Sequence, residues 1–346
     1  RVMAALEEAE KPLICIGGGV FAAHAENEIR ELADLMQIPV ITTMMGISVF
    51  PDDDQLFCGM IGTHGVKMAN AAVNECDVLF LVGARVGDRA VKTPLALEKT
   101  TKIIHIDIDP AEIGKNIGAD LPLVGDAKLV LQQMTELAKP MKHDEWIAHI
   151  KTLGGERKYV EPAKGTVNPR VFIDRLAKKM PANVTVVADV GQNQIWTCTE
   201  YKFRKEGRLL TSGGMGTMGY SVPAAIGAKM ADDSRATVAI CGDGAFQMSF
   251  MELATAVQFG VDIKVAVMTN NRLGMVRELQ TNGYHDRQTA VFLDGSPDFI
   301  KLAEAYGIPA MRVYDDATME KGVEMLAEHK GICLVEVVVD KDMPTL

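Results

Sequence analysis

No stretch of the sequence approaches the roughly 18 to 20 consecutive apolar residues of a membrane-spanning helix, and no charged-then-apolar leader opens it. The expectation is a soluble, cytoplasmic protein without a membrane partner. Cys15, Cys58, Cys76, Cys198, Cys241 and Cys333 show no CxxC spacing, and most lie in or beside apolar segments. They read as reduced core thiols of a cytosolic protein. Basic stripes are missing too: 36 Lys and Arg are spread along a chain that carries 46 Asp and Glu, for a net charge of −10. That balance argues against a nucleic-acid surface. There is no internal repeat and no low-complexity tract. What remains is a chain of 346 residues, 48% hydrophobic and 24% charged, long enough for two ordinary domains.

The first half alternates strands and helices. Apolar runs at 12–16, 39–43, 78–82 and 102–107 read as buried strands, and 23–36 and 127–138 as helices. This pattern calls for a doubly wound parallel sheet. Gly17-Gly-Gly-Val-Phe-Ala22 fits G-x-G-x-x-A after a strand. The second strand, however, ends in Thr42-Thr-Met-Met45, with no acidic residue for a ribose hydroxyl, which argues against an ordinary NAD site. Polar, Gly- and Pro-bearing sequence with a short helix around Trp146 then marks a linker. The expected division is a first domain at 1–140, a linker at 141–168 and a second α/β domain at 169–346.

In the second half a helix at 169–179 and a strand at 184–189 lead to Val190-Gly-Gln-Asn-Gln194, and a glycine-rich stretch runs from Ser212 to Pro223. The densest signal follows. Two β-branched runs, 236–242 and 263–269, stop on Gly242-Asp-Gly244 and Asn270-Asn271. Between them Ser249-Phe-Met-Glu252 has capping-box spacing, and Leu253, Ala256, Val257 and Gly260 recur at helical intervals. The unit is a βαβ crossover, which brings both strand ends to one sheet edge and Asp243 near Asn270. A carboxylate, an amide oxygen and backbone-exposing glycines make a half-shell for a hard cation, Mg²⁺ by preference, completed by phosphate oxygens and water. Either fragment alone is also what a tight turn or a strand cap looks like. A helix at 299–306 and a strand at 331–339 close the chain.

Gly-Asp-Gly, a segment of this length and then Asn resembles the diphosphate signature of thiamine diphosphate enzymes. The wider run Gly242-Asp-Gly-Ala-Phe-Gln-Met248 through Leu273-Gly-Met-Val-Arg277 is similar to the acetolactate synthase catalytic subunit. The resemblance covers essentially the whole chain, as the central and C-terminal domains of a longer protein. It implies metal ligation by Asp243, by Asn270, which aligns on Leu-Gly-Met-Val in place of Asn271, and by the backbone carbonyl of Arg272. Cofactor contacts are implied for Gln192, Asn193, Gly216, Met218, Gly242, Gly244, Ala245, Gly274 and Met275. Gln192 and the residue after it would reach diphosphate oxygens, with Asn193 replacing the usual His. Met218 would be the wedge that holds the cofactor bent, its implied catalytic role. Leu279 stands where the family usually has a Trp that shapes the second-substrate pocket, which suggests weaker preference for 2-ketobutyrate over pyruvate.

In the first half, Gly59-Met-Ile-Gly-Thr-His-Gly65, Gly83-Ala-Arg-Val-Gly-Asp-Arg89 and the run from His105 to Asn116 resemble that family's flavin-contacting segments. Carried over, the FAD contacts are Gly18, Gly19, Thr43, Met44, Gly62, His64, Gly83, Arg85, Arg89, Asp107 and Asp126. Gly87 and Thr63 depart from the family's usual Asp and Met. The implied reaction condenses pyruvate with a second 2-keto acid, with loss of CO₂, in branched-chain amino acid biosynthesis. The implied partners are further copies in a homodimer or homotetramer and a small regulatory subunit. The family's ylid-forming Glu comes from an N-terminal domain of the partner subunit, so this chain alone is expected to be inactive or nearly so. A pyruvate oxidase, a 2-keto acid decarboxylase and a non-catalytic nucleotide-binding subunit stay open as alternatives.

Overall fold

The computed structural model describes residues 1–155 and 159–346; residues 156–158, inside the expected linker, lie outside the described residues. The chain separates into two compact units, Arg1–Arg157 and Lys158–Leu346.

The first unit carries β1 Pro12–Ile16, β2 Val40–Thr42, β3 Phe57–Met60, β4 Val78–Val82, β5 Lys102–Asp107 and β6 Leu121–Val124. They form one sheet in the order β3-β2-β1-β4-β5-β6, and every pairing is parallel. Helices cover both faces, so β1 and β4 are buried at every residue, which is why they read as unbroken apolar runs. Helix Glu26–Met36 shows how a face is sealed. Ile29, Leu32, Ala33 and Met36 fall on one stripe and are buried, and Gln37 ends the helix in the left-handed region at φ 50°. The helix starts at Glu26, three residues later than its sequence suggests, because Gly19–Ala22 forms a short helix of its own and His24 breaks the path at φ 51°. Helix Asp144–Thr152, expected in the linker, packs into this unit: Trp146 is 4% exposed and its Nε1 donates to the Pro12 carbonyl at 2.9 Å.

The second unit carries β7 Thr185–Ala188, β8 Arg208–Thr211, β9 Thr237–Gly242, β10 Lys264–Thr269, β11 Ala310–Val313 and β12 Cys333–Val338. Their order is β11-β12-β10-β9-β7-β8, again all parallel. Helix Pro169–Lys179 is capped by Asn168, whose side chain accepts from Arg170 N and Val171 N, and has Pro169 in its first turn. On the other face Phe246 meets Phe299 edge-on at 5.3 Å, both fully buried. After β7 the chain steps outward to β8, then returns to the opposite side of β7 as β9. The strand order therefore reverses between β7 and β9, and the carboxyl ends at that reversal are where open α/β sheets receive ligands.

Candidate functional site

At the reversal, the segments following β7, β9 and β10 line an open cleft of about 160 Å³. Its lining includes Gln192, Asn193, Met218, Gly242, Asp243, Gly244, Ala245, Asn270, Arg272, Gly274 and Met275. Of the residues singled out for this half, Gly216 alone does not line it; it sits on an exposed turn at φ 66°. Val190, Gly191, Trp196, Met268, Leu273, Val276 and Leu279 complete the wall.

Asp243 is 2% exposed and opens a five-residue helix, Asp243–Gln247, directly after β9. Gly-Asp-Gly is thus a strand-to-helix junction. Oδ1 of Asp243 accepts from Gly244 N at 2.8 Å, and Oδ2 from Asn270 N at 3.1 Å and Asn271 N at 2.6 Å. Burial pushes its carboxyl up to about 6, against the opposing pull of the backbone donors Asn271, Gly244 and Asn270. Asn270 turns its Oδ1 onto Arg272 N at 3.1 Å. Arg272 lies opposite Phe292 in an isolated antiparallel bridge whose bonds run from Leu293 N to Asn271 O and from Leu273 N to Val291 O. Neither bond uses the Arg272 carbonyl, which leaves that oxygen free of the pairing. The Arg272 side chain is held elsewhere, on Asp294 at 2.6 Å and over the Phe292 ring at 4.7 Å.

Small residues here serve close approach. A Cβ on Gly244 would lie 2.8 Å from Leu273 Cδ2, 3.2 Å from Leu293 Cδ1 and 3.4 Å from Met218 Cε, so the Met218 methyl rests against the Gly244 backbone. Met218 is placed by a residue that sequence reasoning passed over. Asp189, fully buried at the end of β7, accepts from Val190 N at 2.8 Å, Gly219 N at 3.0 Å and Ser221 N at 2.8 Å. It ties the glycine-rich loop to the sheet and meets the N-terminus of helix Ser221–Ala231. A strand-terminal Asp two residues before a glycine was the only signal available for it.

Two cleft side chains make bonds that the sequence did not suggest, and one expectation, the capping box at Ser249, is corrected. Gln192 does not aim its amide hydrogens into the cleft: Nε2 bonds the Met343 carbonyl at 2.9 Å, Thr345 Oγ1 at 3.2 Å and Glu278 Oε2 at 3.3 Å. Asn193 likewise sends Nδ2 to the carbonyls of Asp189 at 2.8 Å and Ile240 at 3.2 Å. Both donors are spent inside the protein. Ser249 forms no capping box; a short 3₁₀ turn, Phe250–Glu252, intervenes, and Glu252 accepts from Thr255 Oγ1 at 2.9 Å before helix Leu253–Phe259.

In the first unit the residues expected to touch flavin all follow strand ends on one edge of the sheet. Gly18 and Gly19 follow β1, Thr43 and Met44 β2, Gly62 and His64 β3, and Gly83, Arg85 and Arg89 β4; Asp107 ends β5 and Asp126 follows β6. The turns after β1 and β4 interlock: Gly83 has φ 56°, and a Cβ on it would lie 2.6 Å from Gly19 Cα. Thr63 N donates to the Arg89 carbonyl at 2.8 Å, joining the next pair of loops. Asp126 caps helix Ala127–Leu137 through Leu129 N, while Gly125 N bonds the Asp107 carbonyl at 3.0 Å. No helix among the described residues is long and apolar enough to cross a membrane, and all six cysteines are buried free thiols.

A parallel sheet with a buried carboxylate that has no ion-pair partner among the described residues, and an Asn at the paired strand end, belongs to the class of α/β proteins with a ligand cleft at the carboxyl edge, and comparison with known proteins sharpens that class. Residues 189–337 match the C-terminal thiamine pyrophosphate-binding domain of thiamine pyrophosphate enzymes, and residues 1–134 match the central domain of the same enzymes. The chain belongs to this family. Its curated relatives include a probable acetolactate synthase large subunit of Methanocaldococcus jannaschii, 41% identical over 97% of this chain and 58% of that protein. The acetolactate synthase large subunit of Lactococcus lactis is 35% identical over 99% of the chain and 60% of its own length. That of Corynebacterium glutamicum is 41% identical over 88% and 51%. The chain is a homologue of acetolactate synthase large subunits and spans between about half and three-fifths of their length.

Proposed function

We propose that the second unit binds thiamine diphosphate through Mg²⁺ held by Asp243, Asn270 and the Arg272 carbonyl. The observation that carries the proposal is Asp243: a buried carboxylate that lines the cleft, has no ion-pair partner among the described residues, and is raised by burial toward neutrality. A divalent cation supplies the missing charge. When bound, thiamine diphosphate supplies a nucleophilic carbon and an electron sink for decarboxylating a 2-keto acid. The chain's own residues orient and enclose it. Met218 braces the cleft against Gly244, the polypeptide after β9 offers backbone approach, and Leu273, Met275 and Leu279 provide an apolar wall.

The reaction we propose, for a protein of the relatives' full length, is condensation of pyruvate with a second 2-keto acid to a 2-acetohydroxy acid and CO₂. Support comes from the large-subunit relatives. The word "large" in their names also favours a small subunit as a partner, and a homo-oligomer is proposed with it. FAD, bound along the carboxyl edge of the first sheet, is proposed on the convergence there of Arg85, Arg89, Asp107 and the interlocked glycine turns. The decisive test is thiamine diphosphate binding by calorimetry with and without Mg²⁺: binding only with the cation, lost in Asp243→Ala, is expected. Binding that ignores both removes the metal assignment. Product analysis with pyruvate then separates the reactions. Acetolactate supports the condensation; acetaldehyde means a decarboxylase, and acetate or acetyl phosphate with oxygen uptake an oxidase.

A further inference from the structure

Gln192 is 4% exposed, and its carboxamide sits between Asn270 and residues 343–345. Its oxygen accepts from Asn270 Nδ2 at 3.1 Å, and its nitrogen donates to Met343 O and Thr345 Oγ1. Backbone groups at the two ends fix the sense of this chain of amides. Arg272 N–H can only donate, so the Asn270 atom facing it is Oδ1. Nδ2 of Asn270 therefore faces Gln192, which must present Oε1. Nε2 of Gln192 is left toward the Met343 carbonyl, which can only accept. Gly274 makes room for the pair: a Cβ there would lie 1.8 Å from Gln192 Oε1 and 3.1 Å from Asn270 Nδ2. Thr345 is itself 3% exposed and anchored on Glu278, its N–H 3.1 Å from Oε2 and its hydroxyl bonded to the same oxygen.

We infer that Gln192 is a positioning residue for the cation site: it locks the Asn270 carboxamide with its oxygen presented for ligation, and couples that orientation to the docking of residues 343–345. This rests on the reading of Asp243 and Asn270 as cation ligands. Without Gln192 the Asn270 amide keeps only the Arg272 N–H to fix its sense, and an amide anchored at one end is a poorer ligand than one anchored at both. Residues that hold a ligand in this way are typically worth about 10- to 100-fold in metal affinity. A role in binding the diphosphate directly would need Nε2 to abandon three acceptors.

The test is a Mn²⁺ titration, read from the electron paramagnetic resonance of the free ion, on the 346-residue chain with thiamine diphosphate present. Gln192→Met is expected to weaken Mn²⁺ binding by about 10- to 100-fold, and to have almost no further effect when added to Asn270→Ala. An equal penalty in both backgrounds overturns the inference and returns Gln192 to the diphosphate. Thr345→Val tests the coupling from outside the cleft and carries the experiment if Gln192→Met fails to fold. It is expected to weaken Mn²⁺ binding several-fold, again only while Asn270 is present; unchanged affinity in the folded variant overturns the coupling. An unaltered chain that binds no Mn²⁺ at all overturns the cation-site reading itself, and this inference with it, which is a different result from additivity.

Discussion

A carboxylate buried without a counter-charge makes the protein's stability depend on pH in an unusual direction, and Asp243 is placed to do this. Its carboxyl is raised to about 6 from an ordinary 3.8, so between those values the folded chain holds a proton that the unfolded chain has released. The contribution is fully present below the unfolded value and is lost as pH rises through the folded one. A rise of this size corresponds to about 3 kcal/mol. In the absence of divalent cations, urea midpoints of the chain are therefore expected to fall between about pH 4 and 7 more steeply than those of Asp243→Ala. Parallel profiles would show that the carboxylate is already compensated. The thiols are shifted in the same direction: burial pushes Cys15, Cys58, Cys76 and Cys198 up to about 12. Little or no labelling by a thiol reagent is expected of the native chain at about pH 8, against one equivalent per cysteine after denaturation. Asp243 and Asn270 were legible in the sequence because a crossover fixes which ends of two adjacent strands meet. The commitment of Gln192 was not, since its partners Met343 and Thr345 lie about 150 positions away and only folding brings them to it.

The eight inner strands are visible as apolar runs because helices cover both faces and nearly every residue is buried. The four strands that pattern reading missed are β3, β6, β8 and β11, and they are the four sheet edges. Their burial alternates or fails, with exposed positions such as Pro122, Val124 and Arg312, so no continuous hydrophobic run announces them. The same element scale explains the loop that carries Met218. Its attachment to the sheet is the Asp189 carboxylate, and Asp189→Ala would strand the N–H groups of Gly219 and Ser221, each costing roughly 1–3 kcal/mol when left without a partner. A loss of about 3 kcal/mol in urea unfolding is expected, together with faster proteolysis between Ser212 and Tyr220. A variant with native stability would mean that water replaces the carboxylate there. Leu32, fully buried on its helix, is a packing control: Leu32→Ala is expected to cost about 2–5 kcal/mol without touching either sheet edge.

At the scale of the whole molecule, the two units repeat one construction, a six-stranded parallel sheet with its ligand-facing loops at the carboxyl edge, yet they equip that edge differently. The first edge has exposed arginines, interlocked glycine turns and a capping Asp126; the second has a buried carboxylate, spent amides and an apolar wall. The proposed ligands divide accordingly, and the division can be tested in both directions. Arg85 and Arg89 are exposed, so replacing both with Ala removes fork-shaped donors without opening the core. The double variant is expected to lower FAD affinity at least tenfold, followed by quenching of flavin fluorescence, and to leave Mg²⁺-dependent thiamine diphosphate binding within twofold of the unaltered chain. Asp243→Ala is expected to do the reverse. Loss of both ligands in either variant would mean that the units do not bind independently, and an unaltered chain that leaves flavin fluorescence unquenched would confine cofactor binding to the second sheet, reducing the arginines after β4 to solvated loop residues.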